Sequence, residues 1–183
     1  MRTSHERARP RRPDMRCTLL ATTYNWKEAL VAVLESVRRQ SRLPDEVIVA
    51  DDGSRADTGE ALLGIARDFP TALRHVWQED AGFRAASARN RAIAAGRGDY
   101  VICIDGDMVL HPDFVADHLA LAEAGSFLQG GRLQATPAYT QKLIDGARPS
   151  FSPWMPADFA AQHGDEPVSY THLRAHETKA KLV

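Results

Sequence analysis

Along this chain, short continuous apolar runs alternate with segments whose apolar residues recur every three or four positions. That alternation predicts βαβ units built on a largely parallel sheet. The first run, CTLLATT (17–23), reads as a strand, and Trp26, Leu30, Val33, Leu34 and Val37 then mark one face of a helix over 26–39. EVIVADD (46–52) is a second strand that ends in two acids, and ALRHVWQ (72–78) is a third. Between them, Asp57 and Thr58 are expected to cap a helix running to about Asp68, because their side-chain oxygens can accept from its first N–H groups. An alanine-rich helix is expected over 84–95, with side chains small enough to lie close to a neighbouring backbone or a ligand. The most apolar strand falls in 98–110 and stops at Asp105. Pro112 is expected to open a helix to about Ala124, and SFLQGGRLQAT (126–136) to form one more strand. Periodicity weakens beyond Pro149, and there is no internal repeat.

Composition narrows the class. The chain has 183 residues, 44% hydrophobic and 26% charged, with a net charge of −1, the profile of a soluble globular domain. No apolar stretch approaches the ~18–20 residues that span a bilayer, and the amino terminus lacks the apolar centre of a signal peptide. Cys17 and Cys103, the two cysteines, lie inside apolar runs, where a small buried residue is the plain reading. A reducing cytoplasm fits.

The charge is unevenly placed. Residues 1–16 hold six arginines against Glu6 and Asp14, a balance of +4, so the other 167 residues carry −5. Residues 1–15 read as a disordered basic tail, with Pro10 and Pro13 and little to bury. Such a tail can touch anionic lipid headgroups or nucleic acid, although a plain solvated tail, or a misassigned start codon, is the simpler account.

Chemistry collects at three strand ends. In an open parallel sheet, ligands bind beyond the carboxyl ends of the strands. Those ends read Thr22-Thr23-Tyr24-Asn25, Asp51-Asp52-Gly53-Ser54 and Asp105-Gly106-Asp107. If the strands are neighbours, four carboxylates meet at one edge, and a hard divalent cation with oxygen ligands is the natural compensator. Neither G-x-G-x-x-G nor G-x-x-x-x-G-K-[ST] is present, so phosphate charge would be met by metal and arginine. Turn and cap roles for the same acids are the plain alternative. His111 reads more simply as a solvent-facing side chain than as a ligand, and Trp26 and Trp77 more simply as core than as stacking platforms.

The ordered set TTYNW (22–26), VIVADDGS (47–54), QEDAGFRAASARNRAI (78–93) and YVICIDGDMVLHPDF (100–114) resembles the nucleotide-binding half of family 2 glycosyltransferases with the GT-A fold. It is most similar to the bacterial polysaccharide polymerase and galactosyltransferase-like branch, over roughly residues 16–135. The resemblance implies a Rossmann-like, mostly parallel sheet flanked by helices, incomplete at its carboxyl end. It implies that Thr23, Tyr24 and Asn25 line a nucleotide pocket, and that Asp52 or Asp51 accepts from base or ribose. Asp80 and Arg84 would border the donor pocket, Arg89 would face base or phosphates, and Asn90 would orient the nucleotide. Asp105 would contact ribose or metal, and Asp107 would ligate a divalent ion, Mn2+ or Mg2+, bridging the donor's phosphates.

The implied reaction is inverting transfer of a hexose from a nucleoside-diphosphate sugar to a hydroxyl of a glycan or lipid-linked acceptor. It would take place in the cytoplasm or peripherally at the inner membrane face, in cell-surface polysaccharide synthesis, without nucleic acid as a partner. The general base such a transfer needs has no matching pattern here. Asp145, Asp158, Asp165 and Glu166 lack the expected surroundings, so the chain is expected to bind donor without transferring sugar. VSYTHLRAHET (168–178) resembles a translated sequencing-library adapter, so a domain over 16–167 and an extraneous tail over 168–183 are expected. Two other readings remain open. IDGDMVL (104–110) also fits the start of a haloacid dehalogenase-like phosphatase, with Asp105 as nucleophile, and a domain that binds nucleotide without turnover fits as well.

Overall fold

The computed structural model describes residues 15–132 and 134–149. Residues 1–14 of the basic tail, Trp154, three of the four candidate bases and the 168–183 segment lie outside the described residues. Four strands, β1 (Cys17–Thr23), β2 (Glu46–Asp51), β3 (Ala72–Trp77) and β4 (Tyr100–Asp105), form one parallel sheet in the order β3-β2-β1-β4. The helices are α1 (Lys27–Arg38), α2 (Ala56–Ala66), α3 (Ala85–Ala95), α4 (Phe114–Leu121) and α5 (Pro137–Ile144).

The central strands β1 and β2 are buried almost throughout, which is why they read as unbroken apolar runs. One face of the sheet packs Leu19, Ala21, Val47, Val49, Ile102 and Ile104 against Leu30, Val33, Leu34 and Val37 of α1, with Leu62 and Val115 from α2 and α4. On the other face, Ala88 and Ala92 of α3 sit directly on Leu20, Ile48 and Ala50. The small residues foreseen in this helix thus bring its backbone close to the sheet, and its first turn close to the strand ends.

Several sequence expectations are corrected. Asp57 and Thr58 do not cap α2. Its N-cap is Arg55, whose N–H donates to Asn25 Oδ1 at 3.0 Å, while Asp57 pairs with Lys27 at 2.8 Å. Pro112 lies in a turn ahead of α4, which begins at Phe114 after Asp113 and ends at Leu121. Residues 126–136 form no strand, only an isolated bridge at Ala135 among those described; α5 follows, capped by Thr136, whose hydroxyl accepts from Tyr139 N at 3.3 Å. Cys17 is buried, and burial pushes its thiol up to about 12, but Cys103, on the edge strand β4, is exposed. Trp26 and Trp77 are both about half exposed at the strand ends, not core residues.

A polar cluster closes the amino-terminal edge of the sheet. Buried Glu46 accepts from Thr18 Oγ1 at 2.7 Å, from Arg74 Nη1 at 3.4 Å and from the backbone N–H of Arg97; Thr18 Oγ1 in turn accepts from Gly98 N at 2.9 Å. Burial alone would raise the Glu46 acid, but these donors outweigh it and hold it below the ordinary glutamate value. A carboxyl depressed in the folded state stabilises the fold above its unfolded value, and that stability is lost as pH falls through the folded one. Glu46→Gln is therefore expected to cost about 1–3 kcal/mol near neutrality. It should also flatten the loss of stability seen below about pH 4. Urea unfolding of both proteins across pH 3–7 checks this, and parallel pH profiles would refute it.

Candidate functional site

Because β1, β2 and β4 are adjacent and parallel, their polar carboxyl ends open on the same edge. The register pairs Thr22 with Asp105 and Thr23 with Asp51, so the β4 and β2 acids flank the end of β1. From there each side chain takes a distinct place.

Asp51 is fully buried. Its Oδ1 accepts from Ser54 N at 2.7 Å and Gly53 N at 3.2 Å, and Oδ2 meets His75 Nε2 at 2.8 Å. Burial raises this acid, but the bonds from His75 and Ser54 prevail and its pKa lies below the usual aspartate value. Both oxygens are thus committed to shaping the turn. Asp52, also buried, accepts from Gln78 Nε2 at 2.6 Å and from Arg84 N at 2.7 Å, so it fixes the entry into α3. Gly53 makes this approach possible, since it has φ +101° and a Cβ there would lie 2.5 Å from Asp80 Cα.

The β1 end and the loop before α3 face each other across this turn. Thr23 is buried. Tyr24 is half exposed, and its hydroxyl donates to Asp80 Oδ2 at 3.0 Å; Asp80 Oδ1 accepts from Gly82 N at 3.1 Å. Asn25 takes φ +49°, a left-handed conformation that asparagine tolerates, and its N–H donates to Ser54 Oγ at 2.9 Å. The Arg84 guanidinium folds back onto the Glu79 carbonyl, and between Gly82 and Arg84 the ring of Phe83 stands almost wholly exposed.

Asp105 is the centre of the second half. Its Oδ1 accepts from Thr22 Oγ1 at 3.2 Å and from Arg89 Nη2 at 3.4 Å, and its Oδ2 faces Arg132 Nη1 at 3.7 Å. Gly106 is wedged against β1, its N–H donating to Thr22 O at 2.7 Å. Asp107 follows in an exposed turn. Asn90 is exposed on α3 one residue past Arg89, and His111 lies exposed beside Asp113. Asp145, the one candidate base among the described residues, receives Gln141 Nε2 at 2.9 Å at the end of α5.

The strand ends therefore bring together Thr23, Tyr24, Asn25, Asp51, Asp52, Asp80, Arg84, Arg89, Asp105 and Asp107, with Asn90 on the outward side of α3. His75, Gln78 and Arg132 join the site without having been singled out. His75 and Gln78 lie within or just past β3, a strand whose register against β2 was the available signal; Arg132 lies in an irregular segment with none. Among the described residues, no three His, Cys, Asp or Glu side chains are grouped to hold a metal ion by themselves.

Comparison with known proteins decides the family. The model of "Glycosyl transferase family 2" matches residues 18–168. The chain belongs to that family. Hyaluronan synthase of Pasteurella multocida is 33% identical over 115 residues, which is 61% of this chain and 11% of the synthase. Chondroitin synthase of Escherichia coli is 34% identical over 107 residues, 57% of this chain and 15% of that protein. Among solved structures, the mannosyltransferase PcManGT of Pyrobaculum calidifontis, in complex with GDP-Man and Mn2+, superposes with a TM-score of 0.56 at 26% identity over 70% of this chain and 38% of its own. S. aureus TarS 1–349 in complex with UDP gives 0.51 at 25% identity over 58% and 31%. The family 2 chain thus has the GT-A fold and spans well under half of each of these relatives.

Proposed function

We propose that this chain forms the donor-binding half of a metal-dependent, inverting glycosyltransferase. Its donor is a nucleoside-diphosphate hexose, and its acceptor is a hydroxyl of a glycan or lipid-linked sugar in cell-surface polysaccharide synthesis. The observation that carries this reading is the convergence of Asp52, Asp105, Asp107 and Arg89 on one edge of the sheet, with Asp105 braced by Thr22 and Arg89. In support, PcManGT was solved with GDP-Man and Mn2+, and TarS with UDP.

The residues present fit a divalent cation of the kind that shares its ligands with a substrate. Mg2+ and similar ions are commonly held by one or two carboxylates, with phosphate oxygens and water completing the shell. Asp105 and Asp107 supply that number, one half-exposed and braced, the other open to solvent. When bound, the cation would offset the negative charge that develops on the leaving diphosphate. Arg89 is the fixed guanidinium nearest Asp105, and its Nε is buried without a hydrogen-bond partner among the described residues. It adds positive potential where that charge appears. Tyr24 presents an exposed ring at the mouth of the pocket, and the Tyr24–Asp80 bond holds the loop before α3 beside it. The phosphatase alternative expects its Asp-x-Asp turn after a first strand; here that turn follows β4, and family membership favours the transferase.

Calorimetric titration of the chain with UDP and GDP, each with Mn2+ and with excess chelator, tests the proposal. Binding of at least one diphosphate that disappears with the metal is expected. Failure of both to bind, or affinity indifferent to chelation, would overturn it.

A further inference from the structure

Asp105 has two oxygens with different occupants. Oδ1 is held by Thr22 and Arg89, both anchored on packed elements. Oδ2 meets Arg132, whose side chain is 73% exposed and whose Nη1 stands 3.7 Å away, too far for a hydrogen bond. Arg132 therefore sits on the oxygen left open for a cation, through an ion pair of the weak, solvent-screened kind. We propose that Arg132 is a diphosphate-binding residue parked on Asp105, and that it exchanges this carboxylate for the donor's phosphates when a cation takes Oδ2. The inference rests on the donor-site reading above.

Charge balance gives the exchange its direction. Asp105, Asp107, Arg89 and Arg132 sum to zero, so these four charges cancel one another within an edge that also carries Asp51, Asp52, Asp80 and Arg84. A divalent cation arriving alone displaces Arg132 and leaves it beside like charge, which opposes metal binding. A cation arriving with a diphosphate brings compensating negative charge, and the phosphate oxygens match the planar fork of a guanidinium better than a single carboxylate oxygen at 3.7 Å does. Arg132 thus works against the metal alone and in favour of metal with nucleotide. Its backbone suits the move, because it lies outside any helix or strand and directly follows Gly130 and Gly131.

The test measures two affinities in wild type and Arg132→Ala: Mn2+ alone, by the electron paramagnetic resonance of free ion, and UDP or GDP at saturating Mn2+, by calorimetry. In the variant, Mn2+ alone should bind about two- to fivefold tighter. The diphosphate should bind about tenfold weaker. Arg132→Lys, which keeps the charge without the fork, should restore the metal affinity but only part of the nucleotide affinity. Arg91→Ala, an exposed arginine on α3, should alter neither. If wild type binds diphosphate with Mn2+ and Arg132→Ala changes neither affinity, or weakens both alike, this inference fails while the donor site stands. If wild type binds no diphosphate at all, the donor-site reading itself has failed.

Discussion

Asp107→Ala is expected to weaken Mn2+-dependent binding of UDP or GDP about a hundredfold or more, while the unfolding midpoint stays where it was. Even groups that only orient a metal ligand typically cost 10–100-fold in affinity when removed, so loss of a ligand itself should sit at or beyond that range. The fold should not notice. Asp107 is exposed in a turn, and exposed substitutions away from caps and strained backbone usually stay within about 0.5 kcal/mol. The contrast with Asp105 sharpens the assignment, since Asp105 also receives Thr22 and Arg89 and its loss would disturb their packing. Asp107→Asn, close in shape but uncharged, should behave like the alanine variant if charge on a ligand is what matters. Calorimetry showing an unchanged affinity for either variant would remove Asp107 from the proposed metal site.

Much of this architecture was legible because the buried central strands β1 and β2 leave continuous apolar runs, and the partly buried edge strands β3 and β4 leave weaker ones. β1, β2, β3 and β4 each fall within the apolar runs, and α1 carries its stripe at Leu30, Val33, Leu34 and Val37. The candidate site was legible for a related reason. Parallel strands point their carboxyl ends the same way, so polar residues that terminate such runs must gather on one edge once the strands are neighbours. The side chains at those ends were harder to place. Trp26 and Trp77 are large and apolar, yet they lie where the sheet stops and no helix covers them. Asp51 and Asp52 are adjacent acids, but Asp51 turns inward to His75 and the Asp51–Ser54 turn while Asp52 receives Gln78 and the start of α3; only β3 registry separates their roles. Residues 126–136 hold apolar residues on both sides of Gly130-Gly131, but the two glycines leave no side chain to pack at the middle of the run. The Thr136-Pro137 pair was a readable helix start, a capping hydroxyl followed by a residue with no N–H to satisfy, and it marks α5.

Gly53→Ala should produce the largest loss of stability at the site, about 2–5 kcal/mol, and should weaken nucleotide binding with it. Two costs coincide at this position. A φ of +101° is a conformation that side chains with a Cβ rarely adopt, and that Cβ would meet Asp80 Cα at 2.5 Å and Asp80 N at 2.7 Å. Neither neighbour is a flexible tip that can swing aside, so the loop before α3 must move away from the β2 turn. Asp80 is the partner of the Tyr24 hydroxyl, and the neighbouring Asp52–Arg84 and Asp52–Gln78 bonds span the same gap, so the two sides of the proposed donor site would separate as the backbone yields. Gly98→Ala provides the comparison. Its Cβ would meet Thr18 N at 2.5 Å, but at the opposite edge of the sheet. Both variants should therefore unfold at lower urea concentration than wild type, and Gly53→Ala alone should bind UDP or GDP more weakly with saturating Mn2+ under conditions where it remains folded. A folded Gly53→Ala that kept full nucleotide affinity would show that the two loops do not form the walls of one pocket.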